Sequence, residues 1–294
     1  MKLEKGDKIA LVAPSGFIEK ENLTSALKWF ERIGLIPVVM PHVYDKFYYM
    51  AGQDMVRAED VNKAFVSEAK AVFCVRGGAG ALKMLSFLDY DLIKKNPKPV
   101  FGLSDSTALQ NALYAKANIE SYTGFLPIFD FKTGVLDEKI EQSLTDIFKG
   151  KPLCYQGGKC LIEGSAQGEL IGGCLSVFCS LCGTPYFPNL EGKILLIEDI
   201  AEKTYRLDLM LEQLFLQPSF SKIKGLIFGR FLNCEPADIE DGEVSEIVTN
   251  FARKANVPTL IDFDYGHIKS RFVMPLGQTV LLNTKECVVK TIKK

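Results

Sequence analysis

Ala71-Val72-Phe73-Cys74-Val75-Arg76-Gly77-Gly78-Ala79-Gly80 and, further on, Pro99-Val100-Phe101-Gly102-Leu103-Ser104-Asp105-Ser106-Thr107 each run from a short apolar stretch into small and polar residues. Both read as a buried β-strand that delivers a loop to the head of a helix, the βα unit of a parallel sheet. Upstream, Ile9–Val12 and Ile36–Val39 read as two more strands. The intervening segments carry apolar residues at helical spacing: Leu23, Leu27, Phe30 and Ile33, then Val61, Ala64 and Phe65, then Leu82, Leu85 and Leu88. The pattern predicts an α/β domain over residues 1–150, with helices covering both faces of a parallel sheet.

Near Gly150 the pattern changes. The polar stretch from Lys149-Gly150-Lys151-Pro152 to Gly157-Gly158-Lys159 suits a connection. Beyond it, apolar runs at Gly168–Gly173, Ile194–Ile197, Gly225–Phe228, Thr259–Ile261, Thr279–Leu282 and Cys287–Ile292 are mostly separated by turns, with one strong helix at about Lys203–Leu216. This predicts a smaller α+β, barrel-like second domain over residues 165–294.

Two domains also suit the 294 residues, and an apolar content of 47% excludes disorder, because it buries enough surface to offset chain entropy. The 35 basic and 36 acidic residues leave a net charge of −1 with no long run of one sign, so there is no footprint for nucleic acid or an anionic membrane. The expected partner is a small molecule or another protein. No window approaches a membrane span, and Ile9–Ala13 is too short for the apolar region of a signal peptide, so the expected location is cytoplasmic. The eight cysteines are expected to be reduced thiols in apolar surroundings. Cys174, Cys179 and Cys182 contain a C-x-x-C pair, but a metal site needs a fourth ligand, and the flanking Leu175, Val177, Phe178 and Leu181 read as a buried helix. No metal or other cofactor is expected.

Ligands of open parallel sheets bind beyond the carboxyl ends of the strands. The glycine loop after Val75 lets backbone N–H groups approach an anion, either a phosphate or a transient oxyanion, although it is neither a dinucleotide fingerprint nor a P-loop. A phosphate or nucleotide binder built on this loop is therefore the competing reading. Gly102-Leu103-Ser104-Asp105-Ser106 resembles the nucleophile elbow G-x-S-x-G, which exposes a serine hydroxyl above the sheet. Taken alone, such a serine is more often a helix N-cap. A nucleophile needs a base, and the chain offers only His42 and His267; His267, in the turn Asp264-Tyr265-Gly266-His267, is favoured. Glu198 or Asp199, at the end of Ile194–Ile197, would orient it, and the residues alone do not choose between them. A free substrate carboxylate would call for arginine, with Arg76, Arg206 and Arg271 as candidates.

These and other segments, in order along nearly the whole chain, resemble the LD-carboxypeptidases, the family of murein tetrapeptide carboxypeptidases and microcin C immunity proteins. The matching segments are Val12-Ala13-Pro14-Ser15, Ala51-Gly52-Gln53-Asp54 with Arg57-Ala58, the glycine loop, the Ser104 elbow, Gly172-Gly173, Gly183-Thr184-Pro185-Tyr186, Leu196-Ile197-Glu198-Asp199, Glu202 with Tyr205-Arg206-Leu207-Asp208, and Gly266-His267 with Pro275-Leu276-Gly277. The resemblance implies a Ser104–Glu198–His267 triad and an oxyanion hole from the Gly78 and Asp105 amides. It also implies a flavodoxin-like N-terminal domain, a barrel-like C-terminal one, a homodimer, and release of D-Ala from a muropeptide tetrapeptide in peptidoglycan recycling. The alternative within the family is an immunity-type peptidase acting on peptidyl-nucleotide antibiotics. Ala79, Tyr122-Thr123-Gly124, Cys174 and Leu209 depart from the family's usual residues and bear on substrate preference.

Overall fold

The computed structural model describes residues 2–292; Met1, Lys293 and Lys294, the ends of the two expected domains, lie outside the described residues. The first half runs β1 (Lys8–Val12), α1 (Lys20–Arg32), β2 (Ile36–Val39), α2 (Asp54–Val66), β3 (Ala71–Cys74), α3 (Ala81–Met84), α4 (Tyr90–Lys95), β4 (Val100–Gly102), α5 (Ser106–Ala117), β5 (Ser121–Thr123), α6 (Pro127–Asp130) and α7 (Glu138–Phe148). The parallel strands lie in the order β2-β1-β3-β4-β5, the flavodoxin-like order. After the exposed Lys8 of β1, strands β1, β3 and β4 are buried throughout, as expected of a parallel sheet covered on both faces. β2 is the edge strand, and half of its side chains stay exposed.

Register across the centre of this sheet is held by an aromatic ladder. Phe73 pairs with Phe101 and Phe101 with Tyr122, the rings stacking at centroid distances of 4.3 and 4.9 Å. Phe30, Phe125 and Phe148 close over it edge-on. Two helical stripes are narrower than their spacing implies. Leu85 and Leu88 are buried, but Leu82 is 37% exposed because α3 ends after one turn, and Ile33 caps α1 half in solvent.

The second half contains β6 (Cys154–Gln156), β7 (Lys159–Ile162), β8 (Ser165–Cys174), α8 (Leu175–Cys179), β9 (Lys193–Ile200), α9 (Thr204–Phe215), β10 (Gly225–Leu232), α10 (Val244–Ala255), β11 (Thr259–Ile261), β12 (Met274–Leu276), β13 (Thr279–Asn283) and β14 (Val288–Thr291). Its sheet has the order β6-β14-β13-β8-β9-β10-β11-β7, parallel from β8 to β11 and antiparallel outside. Only Gly157-Gly158 separates β6 from β7, yet the two strands end opposite edges of this sheet. The sheet must therefore curl round on itself, which is the barrel-like form.

Two expectations about organisation change here. The stretch expected as a connection holds β6 and the start of β7: β6 alternates, with Tyr155 buried while Cys154 and Gln156 face solvent, and β7 has no fully buried residue. The span 165–294 is not self-contained, because β12 leaves it to pair antiparallel with β5 and extend the first sheet. The cysteines also divide, Cys74, Cys174 and Cys179 being buried but Cys154 and Cys160 exposed on the edge strands.

The halves dock through α5 against β8. The buried Asn111 amide donates to the Gly172 carbonyl (2.8 Å) and accepts from the Gly172 N–H (3.1 Å), while Thr107 Oγ1 accepts from the Cys174 N–H at 3.1 Å. Buried bonds of this kind are worth roughly 1 kcal/mol each, and more when a partner is stranded. Replacing Asn111 by Ala is expected to cost about 2–4 kcal/mol, read as a lower denaturation midpoint at unchanged slope; an unaltered midpoint would contradict this role.

Candidate active site

Ser104 lies between β4 and α5 with φ +65°, a left-handed conformation that a non-glycine residue adopts at a cost of about 1–3 kcal/mol. Two contacts hold the turn: the Ser106 hydroxyl donates to the Leu103 carbonyl at 2.8 Å, and Gly102 leaves space that a Cβ would take only 2.2 Å from Ser106 Oγ. Ser104 is therefore not the N-cap of α5. Asp105 holds that position, and its carboxylate serves the neighbouring loop instead, accepting the Ala81 N–H at 2.8 Å. Burial raises the Asp105 pKa, against the pull of that N–H and of Arg57.

The glycine loop reaches the serine because Gly77 has no side chain. A Cβ there would lie 2.8 Å from Ser104 Cβ. The loop is anchored from behind by Arg57 on α2, whose fully buried guanidinium donates to the carbonyls of Gly52 (3.2 Å), Gly80 (2.9 Å) and Pro14 and to the Asp54 carboxylate. Arg57 thus ties the loops after β1, before α2 and after β3 to one side chain. The sequence marks Arg57 only as part of a matching segment, because its carbonyl partners come together only in the fold.

Glu198 and Asp199 are adjacent on β9, so alternation sends their side chains to opposite faces. Glu198 Oε2 lies 2.8 Å from His267 Nδ1. Asp199 accepts from the Ser176 N–H (2.7 Å), the Ile200 N–H (2.8 Å) and the Cys174 thiol (3.3 Å). The imidazole's partner is therefore Glu198, and Asp199 fastens the end of β8 to α8. Two glycines make room for Glu198: a Cβ on Gly266 would lie 2.8 Å from its Oε2, and one on Gly229 would lie 3.2 Å from its Cβ. Glu198 is fully buried with Oε1 unpaired, and burial raises its pKa against the opposing pull of His267. His42, the other histidine, is bound to Asp60 at 2.8 Å and does not line the cleft described next.

Ser104, Gly77, Gly78, Arg76 and His267 open into one cleft of about 610 Å³, walled also by Glu21, Ser25, Leu126, Phe129 and Lys132. Ser104 and His267 form no hydrogen bond with each other among the described residues; such contacts are often loose in unliganded sites. Of the three arginines expected to receive a carboxylate, only Arg76 lines this cleft. Arg271 is fully buried and committed internally, donating to Asp130 (2.7 and 2.8 Å), the Gly124 carbonyl (2.9 Å) and the Ile268 carbonyl (2.7 Å). It clamps the His267 segment to α6, the reverse of a substrate-facing role. Arg206 pairs with Glu202 at 2.8 Å on the exposed start of α9, outside the cleft.

An elbow serine, a glycine loop against it and a Glu–His pair around one cleft on an α/β scaffold define a serine-type hydrolase. The chain belongs to the LD-carboxypeptidase family: residues 9–124 match the model of the LD-carboxypeptidase N-terminal domain and residues 167–282 that of the C-terminal domain. A probable murein peptide carboxypeptidase of Bacillus subtilis is 31% identical over 97% of this chain and 91% of its own. Among solved structures, a muramoyltetrapeptide carboxypeptidase from Oxalobacter formigenes is 26% identical with a TM-score of 0.87, covering 96% of this chain and 97% of that one. An MccF-like protein from Bacillus anthracis is also 26% identical, with a TM-score of 0.88 over 100% of this chain and 99% of that one.

The raised Glu198 pKa carries a sign. A carboxyl whose folded pKa exceeds its unfolded value favours the fold when protonated, and that stability is lost as pH rises through the folded pKa. Glu198→Gln removes the titration, so relative to wild type it is expected to gain thermal stability from pH 4.5 to pH 7 while activity falls about 10³–10⁴-fold. Melting curves at the two pH values check this; a relative loss of stability at pH 7 would contradict it.

Proposed function

We propose that the protein is a serine-type LD-carboxypeptidase that hydrolyses the L,D-amide bond before the terminal D-Ala of a muropeptide tetrapeptide, in peptidoglycan recycling. The observation that carries this reading is the left-handed Ser104 elbow opening into one cleft with His267 and the glycine loop. The Bacillus and Oxalobacter relatives, whose names specify murein peptide and muramoyltetrapeptide, supply the substrate.

In this reading His267 takes the Ser104 proton as the hydroxyl oxygen attacks the scissile carbonyl, and buried Glu198 fixes the ring and stabilises its cationic form. The Gly78 and Asp105 amides receive the oxyanion; neither donates to a protein acceptor among the described residues, and each such donor is typically worth ~10²–10³ in kcat. The tetrahedral intermediate collapses as the C–N bond breaks, His267 protonates the D-Ala amine, and water then attacks the ester with His267 again as base. Arg76, the candidate that lines the cleft, would receive the terminal carboxylate.

The reading includes a cytoplasmic location, where recycled muropeptide would be met. No helix of the described residues is long and apolar enough to cross a membrane. A homodimer is part of the same reading, supported by Tyr205 and Leu209 on α9 and Leu216 at its C-cap, which stand exposed. The immunity-type alternative would call for aromatic contacts to a nucleobase. Trp29 offers none, being packed against Phe30 and Phe131 with its N–H on Glu141, so Phe129, exposed on the cleft wall, is the ring that such a ligand would meet.

Mass spectrometry of a muropeptide tetrapeptide incubated with wild type and with Ser104→Ala tests the reading. Loss of one alanine with wild type only, the variant folding normally, is expected. Turnover by Ser104→Ala, or none by wild type, would overturn it.

A further inference from the structure

The C-x-x-C pair of the sequence, Cys179-Ser180-Leu181-Cys182, does not line the cleft, and the fold gives it a geometry of its own. α8 ends at Cys179, and the chain turns back at once. The Leu181 N–H donates to the Phe178 carbonyl at 3.2 Å, and the Cys182 N–H donates to the Cys179 carbonyl at 3.0 Å. A turn closed in this way keeps its first and fourth Cα atoms within about 7 Å, a range that overlaps the roughly 4.4–6.8 Å that a disulfide spans. The two thiols are already in hydrogen-bond contact. Among the described residues no atom lies within 4 Å of where a Cβ on Gly183 would stand, so the turn has open space beside it.

The two sulfurs differ in their surroundings. Cys179 is buried, and its S–H has two acceptors in reach, the Met210 carbonyl on α9 at 3.4 Å and the Cys182 sulfur. Cys182 is half-buried. The hydrogen bond between them pushes Cys179 up, with burial adding to the effect, and pulls Cys182 below its ordinary value against partial burial. Cys74, Cys174 and Cys234 go the other way, raised by burial. A reachable thiol that ionises readily beside one that keeps its proton is the arrangement of an attacking and a resolving cysteine, and a C-x-x-C pair is the spacing that supports it.

We infer that Cys179 and Cys182 form a redox-active dithiol, a modification site that reacts with low-molecular-weight disulfides such as glutathione disulfide and closes to an internal Cys179–Cys182 bond. The Cys182 thiolate attacks one sulfur of the oxidant, forming a mixed disulfide and expelling a thiolate. Cys179 then gives up its proton and its sulfur attacks that of Cys182, expelling the second thiolate. The two protein thiols lose two electrons and two protons, and one oxidant disulfide becomes two thiols. Closure withdraws the Cys179 donor from the Met210 carbonyl, so this tie between α8 and α9 is what oxidation gives up. The inference stands apart from the carboxypeptidase reading.

The test is exchange of the folded, fully reduced wild type with glutathione disulfide at neutral pH, followed by alkylation of the remaining thiols and peptide mapping by tandem mass spectrometry. The exposed Cys154 and Cys160 serve as the internal reference for thiols that react unaided. Cys179 and Cys182 are expected to lose two hydrogens together and retain no glutathione, to close faster than Cys154 or Cys160 takes up glutathione, and to reopen with dithiothreitol. In Cys179→Ser, Cys182 is expected to keep glutathione as a lasting mixed disulfide; in Cys182→Ser, Cys179 is expected to remain a free thiol. Circular dichroism checks that both variants fold, and the wild-type result stands without them. The inference is overturned if Cys182 stays unmodified while Cys154 and Cys160 react, if it retains glutathione in the wild type, or if the crosslink runs to Cys174 instead. Glutathione on Cys179 in folded Cys182→Ser would overturn the assigned order of attack.

Discussion

Everything at the site depends on how closely α5 can approach β8. The helix begins just after Ser104, and β8 is the sheet neighbour of β9, which carries Glu198, so this contact sets the serine relative to the Glu–His pair. Two consecutive residues without side chains permit the close packing here, Gly173 against α5 and Gly172 against β9. A Cβ on Gly173 would stand 2.5 Å from Thr107 Oγ1, and one on Gly172 would stand 2.3 Å from the Leu196 carbonyl, so any larger residue would force the strands or the helix apart. Both glycines also hold positive φ, where side chains are disfavoured in any case. In the space so created, the Asn111 amide and the Thr107 hydroxyl bind the β8 backbone.

Around that contact the fold maintains several buried acids at an electrostatic cost. Burial raises the pKa of Glu198, Asp105 and Asp130 alike, and each is answered by a different kind of partner: an imidazole for Glu198, a backbone N–H for Asp105 and the Arg271 guanidinium for Asp130. The partners all lie on other segments of the chain, so the acids also serve as ties. Asp105 links the elbow to the glycine loop, Asp130 with Arg271 links α6 to the His267 segment, and Arg57 gathers three loops beneath the glycines. The Glu198 tie ends on His267, which lines the cleft; in the proposed mechanism it would stabilise the charge that appears and disappears on that ring.

Much of this was legible in the sequence because parallel strands covered on both faces leave continuous apolar runs, and the loops at their ends are where chemistry collects. Ile9–Val12, Ala71–Val75 and Pro99–Leu103 fall on β1, β3 and β4, and Ser104 and the glycine loop fall at the strand ends. The strands that escaped lack such runs. β6 and β7 are short edge strands around a Gly-Gly turn, β6 alternating in exposure and β7 with no fully buried residue, and β12 takes its place by crossing to the other sheet, which no local pattern encodes. The choice between Glu198 and Asp199 could not be made locally either, since both carboxylates end the same strand and only its orientation against β8 and the His267 turn decides which one meets the ring. Arg271 was misleading for a similar reason: its partner Asp130 is remote in the chain, so nothing nearby marked it as buried rather than substrate-facing.

The central claim is that the strained Ser104 hydroxyl is the nucleophile and that the Glu198–His267 pair activates it. Labelling with a serine-directed fluorophosphonate, followed by peptide mapping, tests this most directly. The account predicts a single adduct on Ser104 in the wild type, forming much more slowly in a folded His267→Ala variant. An adduct on another residue, or labelling of Ser104 at an unchanged rate without the histidine, would contradict it.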